Sequence, residues 1–81
     1  FKGVISGMNE RGVFVEINDS KCEGLVKMKD IPNDFYNFDK RTNAVVGQNT
    51  LQEYVLGDPV LVKVLKTNIE KKQIDFKILE D

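Results

Sequence analysis

The sequence predicts an all-β fold, a five-stranded OB-type Greek-key barrel with a β-hairpin inserted between its third and fourth strands. Three observations carry that expectation. Five short stretches are rich in β-branched or alternating apolar residues, and turn residues separate them. No stretch sustains the i, i+3, i+4 apolar spacing of a long amphipathic helix. The link between the third and fourth strands is long for a structureless connection and carries strand signals of its own.

The first strand is "FKGVISGM", residues 1–8, in which Gly3 and Gly7 mark a bulge or bend of the kind a small barrel needs to close. The second is "GVFVEI", residues 12–17. Val13, Val15 and Ile17 take its inner face, which leaves Gly12, Phe14 and Glu16 outside. After the turn "NDSK" the third strand is "CEGLVKM", residues 22–28, with Val26 and Met28 on one face and Lys27 on the other. The stretch "KDIPNDFY" breaks the period; Pro32 lacks an N–H and biases Ile31 away from helix, so a loop or short helical turn is expected.

The fourth strand, "VLVKVLKT" at residues 60–67, follows the turn "LGDP". Val60, Val62 and Val64 share one face, and Leu61, Lys63 and Leu65 share the other. The loop "NIEKK" leads to the fifth strand, "QIDFKIL" at residues 73–79, with Ile74, Phe76 and Ile78 inward and Asp75 and Lys77 outward. The insertion covers residues 35–56. Its "FYNF" and "AVV" flank the turn "DKRTN", and "TLQEYV" after "GQN" leaves room for a third short strand.

Composition narrows the function. The 81 residues are enough for a single domain, 1–81, and a chain that begins at Phe1 already inside a strand reads as a domain of a longer protein. Its single cysteine, Cys22, permits no internal disulfide, in keeping with a reducing, cytoplasmic setting. The absence of histidine removes the commonest general base and a common zinc ligand. No apolar run approaches a membrane span, so no membrane partner is expected. Twelve Lys and Arg stand against 13 Asp and Glu, for a net charge of −1, so any nucleic-acid role must rest on where the cations lie.

Several candidates read as structural. Glu16, Asp19 and Glu23 are close in sequence, but nothing in turn and strand-edge positions enforces the convergence a metal site needs. Cys22 has no neighbour that would activate a thiol and reads as a small, partly buried residue. Tyr36, Phe38 and Tyr54 are expected to knit the insertion to the barrel rather than to stack bases. No catalytic residue is expected in this chain.

Phe14 is the informative residue, because strand alternation puts a large ring outside the core. Either a neighbouring protein covers it or it is a platform. Arg11, Lys27, Lys29, Lys63, Lys66, Lys71 and Lys72 favour the platform, since a ring among flexible cations is what single-stranded nucleic acid needs. A protein-docking barrel remains the alternative from another class.

The ordered set Gly3, "ERGVFVEI", "EGLVKM", "GDPVLVKVLKTN" and "QIDFKI" resembles the S1 domain, an OB-type RNA-binding module. The resemblance implies RNA contact at Phe14, at Arg11 (where the family usually has a second aromatic), at Lys27 (often histidine), at Asn68 (often acidic) and at Lys72 or Gln73. Residues 34–39, "DFYNFD", with Val46-Gly47, Thr50, Tyr54 and Leu56-Gly57-Asp58, are similar to the carboxy-terminal S1 domain of the RNase R group in the RNase II family of bacterial exoribonucleases. That likeness implies single-stranded RNA as partner, a parent chain with catalytic and cold-shock-type domains, and magnesium held in the catalytic domain with no cofactor in this one. A monomer is expected. S1 modules of translation, transcription or phosphorolytic decay proteins are the other parents left open.

Overall fold

Strands β1 (Lys2–Asn9), β2 (Gly12–Ile17), β3 (Glu23–Lys27), β7 (Pro59–Asn68) and β8 (Gln73–Ile78) close a barrel in the order β1-β2-β3-β8-β7. A computed structural model of the chain describes residues 1–68, 70 and 72–79. All neighbours in the barrel are antiparallel except β3 and β8, whose parallel pairing sets Leu25 beside Asp75 and Val26 beside Phe76. The fold is the all-β, OB-type barrel that the alternating pattern predicts.

The interior is built from the residues that alternation turned inward. Ile5, Val13, Val15, Val26, Val62 and Phe76 are fully enclosed. β-Branched side chains suit this packing, because their stiff χ1 costs little entropy to fix on a pleated surface. The β1–β2 ladder slips between Ile5 and Gly7, a bulge that curves β1 around the barrel and sits where glycine predicted one. A second slip, between Val64 and Lys66, bends β7. Val64 differs from expectation: it faces Phe76 across the ladder yet is 38% exposed. β7 pairs with β1 only over Pro59–Leu61, so its later residues have lost that cover.

The Pro32 region holds a 3-10 turn at Met28–Asp30, where the Ile31 N–H donates to the Met28 carbonyl at 3.3 Å. The insertion goes further than a hairpin. It forms a three-stranded antiparallel sheet of β4 (Tyr36–Asp39), β5 (Ala44–Gly47) and β6 (Glu53–Val55). Tyr36 and Val45 are buried in the common core, with Phe38 and Tyr54 packed against it. The Tyr36 and Tyr54 rings lie 5.6 Å apart in a tilted pair. Asp34 ties down the far end of this sheet: its carboxylate accepts from the N–H groups of Phe35, Asn49 and Thr50, from Asn49 Nδ2 and from Thr50 Oγ1, at 2.6–3.0 Å. Among the described residues, no helix is long and apolar enough to cross a membrane.

Candidate nucleic-acid interface

Phe14 lies on the outer wall of the barrel and is half-buried. Its β3 partner Leu25 stands beside it on the same outer face, buried to 8% exposure. Gly7, opposite on β1, brings no side chain across the ring, so one edge of Phe14 stays open. The ring borders a groove of about 360 Å³ whose rim includes Arg11, Glu23, Lys72 and Gln73.

Local turns hold that rim. The Arg11 N–H donates to Asn9 Oδ1 at 2.8 Å, and the Arg11 carbonyl accepts from the Met28 N–H at 3.3 Å, so the β1–β2 turn is clamped while the guanidinium stays exposed. Gly12 follows with φ of +155°, and a β-carbon there would run into the Val26 carbonyl oxygen. Only glycine allows β2 and β3 to approach so closely at this point. Lys72 ends the β7–β8 connection in left-handed backbone, φ 52°, which turns the chain back into β8.

The expected contact residues divide into three sets. Arg11, Phe14 and Lys72 share the groove. Asn68 stands one strand further on, paired with the groove residue Gln73. Lys27 faces Gly12 at the Arg11 end of the same outer face, and Lys29 is exposed in the 3-10 turn that follows. Lys63 is not in the groove. It lies opposite Lys77 on the β7–β8 ladder, and the parallel β3–β8 pairing carries Lys77 towards Lys27. Lys27, Lys77 and Lys63 therefore form a cationic row over three adjacent strands. Lys66 sits beside Asp75, and Lys71 lies outside the described residues.

One expectation needs correcting, that on Cys22. Glu16 and Glu23 are partners across β2 and β3, because register rather than sequence proximity sets who faces whom. Asp19 stays in the intervening turn. Cys22 is exposed rather than partly buried, because it lies in that turn just before β3 begins. Residues missed in the sequence are Gln73 as a firm groove residue, Glu23 and Lys77. The outward parity of Lys77 was visible; its nearness to Lys27 was not.

A larger groove, about 610 Å³, runs along the β1–β7 seam, but Lys2 is its one cationic lining residue and Phe14 is not part of it. The smaller groove is therefore the one that brings Phe14 together with cationic side chains. Among the described residues no group of three carboxylate, thiol or imidazole side chains is placed to hold a metal ion.

Barrel and groove together define the class, an OB-type barrel with an aromatic-and-cation groove on its outer wall. The chain belongs to the S1 RNA binding domain family, which matches residues 1–79. It is 40% identical over 79 residues to ribonuclease R of Vibrio parahaemolyticus and 39% identical over 79 residues to ribonuclease R of Escherichia coli, covering 98% of this chain in each case. It spans only about 10% of the length of those relatives. Mycoplasma genitalium RNase R in complex with ribose methylated single-stranded RNA superposes with a TM-score of 0.92 at 28% identity, over 98% of this chain and 12% of that one.

Proposed function

We propose that this chain is the single-stranded-RNA-binding module of a 3′–5′ exoribonuclease of the RNase R type. The observation that carries the reading is the groove that Phe14 shares with Arg11 and Lys72. A base stacks on the half-exposed ring at about 1–3 kcal/mol without demanding a particular sequence. Phosphates then lie within reach of Arg11 and Lys72, with Asn68 at the rim, and the strand can leave across Lys27, Lys29 and the row through Lys77 to Lys63. Arg11 offers a planar guanidinium that can stack on a base as well as hold a phosphate.

In this reading hydrolysis belongs to a separate, magnesium-dependent catalytic domain of the parent chain, and this module delivers RNA to it as a monomeric part of a cytoplasmic enzyme. Its own residues bind and orient; none performs a chemical step. A titration of the 81-residue chain with labelled oligo-uridine and oligo-adenosine at low and moderate salt tests this. Binding that weakens as salt rises, with a log–log slope of about −0.7 per phosphate held, is the expected result. No binding at either salt would defeat the reading in favour of a protein-docking barrel.

A further inference from the structure

The groove also holds a carboxylate, which a plain phosphate-binding site has no use for. Glu23 lies diagonally from Phe14 across the β2–β3 ladder, two residues before its partner Leu25, and borders the same groove. Diagonal neighbours on one sheet face stand about 7–8 Å apart, a gap that a base lying on the ring can bridge with its edge. The side chain is held in place: Ser6 Oγ donates to Glu23 Oε2 at 2.6 Å. Ser6 can do so because it is the residue at the β1 bulge, between Ile5 and Gly7, and bulges re-aim side chains. The Phe14 carbonyl, 3.4 Å from the same hydroxyl, is a weaker competitor for its single proton. Glu23 Oε1 has no hydrogen-bond partner and Glu23 no ion pair among the described residues.

A carboxylate can only accept hydrogen bonds. Beside a stacked base it favours an edge that presents an amino group and disfavours one that presents a carbonyl oxygen. Cytosine carries an exocyclic amine where uracil carries an oxygen, and carboxylates accept from the cytosine amine in known readout geometry. We propose that Glu23 makes the Phe14 position selective for a base that presents an exocyclic amine where uracil presents its O4 carbonyl, cytosine or adenine, over uracil. Ser6 is a positioning residue in this arrangement, acting through Glu23. The inference rests on the RNA-binding reading above and deepens it.

Cytosine and uracil have the same ring size, so their comparison cancels most of the difference in stacking. Affinities of oligo-cytidine and oligo-uridine of equal length are measured for the 81-residue chain and for Glu23→Gln and Ser6→Ala. The expected result is a preference for oligo-cytidine of about five- to tenfold, somewhat less than a full charged hydrogen bond because the site is open to water. Glu23→Gln should abolish it, because a carboxamide both donates and accepts, and Ser6→Ala should reduce it. Equal affinity for the two oligomers overturns the inference and leaves the RNA-binding reading standing. An equal gain for both in Glu23→Gln, with the ratio unchanged, also overturns it, since Glu23 would then merely repel phosphate. If neither oligomer binds, the RNA-binding reading falls and this inference with it.

Discussion

Gly7 stands opposite Phe14 in the β1–β2 ladder, and a β-carbon on it would lie 3.6 Å from Phe14 Cδ2. That spacing is ordinary van der Waals contact, so a β-carbon fits there without a clash while closing the open edge of the ring. Gly7→Val is therefore expected to fold at least as well as the parent sequence, since a β-branched residue replaces glycine in a strand. Its RNA affinity should fall several-fold. Phe14→Ala, which removes the platform, should lose about tenfold or more, in line with a stack of about 1–3 kcal/mol. Fluorescence titration beside thermal melting separates the two effects; an unchanged affinity in Phe14→Ala would sink the stacking hypothesis.

Lys63 and Lys77 face each other across β7 and β8, and like charges directly opposite oppose pairing. Lys63→Glu converts the pair to opposite charges and is predicted to raise stability by a few tenths of a kcal/mol. The same change should weaken RNA binding and flatten its salt dependence. A variant more stable and equally tight in binding would remove Lys63 from the phosphate path.

Lys72 occupies left-handed backbone, where a side chain costs roughly 1–2 kcal/mol. Lys72→Gly relieves that strain, so its denaturant midpoint should match or exceed that of the parent chain. Its affinity for oligo-adenosine should nonetheless drop, with the salt slope smaller by about 0.7 if one phosphate contact is lost. Unchanged affinity would show that Lys72 serves the turn alone.

Gly12 leaves no room for a β-carbon against the Val26 carbonyl. Gly12→Ala should therefore force β2 and β3 apart and cost about 2 kcal/mol or more, read from chemical denaturation. A midpoint within error of the parent would mean that the ladder yields at this point.

The Asp34 carboxyl is held well below the usual carboxylate range, chiefly by the Thr50 N–H and also by those of Phe35 and Asn49, against an opposing effect of burial. A lowered folded-state pKa means that this stabilisation is complete above the ordinary aspartate value and is lost as pH falls below it. Acid titration should loosen the β4–β5–β6 sheet before the barrel, visible as chemical-shift changes at Asn49 and Thr50. Asp34→Ala should remove that pH dependence and leave the insertion loosened at neutral pH. Acid shifts at Asn49 and Thr50 that persist in Asp34→Ala would assign them to another group.

Much of the fold was legible because strand alternation is a local property. Val13, Val15 and Ile17 had to share a face, so Phe14 had to lie on the other, and the structure puts the three aliphatics in the core. The strand signals in residues 35–56 likewise reported an inserted hairpin, since a short connection needs none, and the structure completes it as a three-stranded sheet. The groove was only partly legible. Arg11 and Phe14 are near in sequence, but Lys72 joins them only because the barrel closes β8 onto β3. Val64 shows the reverse failure, an inward parity without cover, because pairing of β7 with β1 ends at Leu61.

By itself the sequence determined which residues point inward and outward on each strand, and with them the all-β class and the outward-facing ring, because side-chain direction in a strand depends only on parity along the chain. Tertiary structure alone decided what stands beside the ring. The parallel β3–β8 pairing, the bulge that aims Ser6 at Glu23 and the Glu16–Glu23 partnership depend on register between distant segments, and register is set by closure of the barrel and packing of its core.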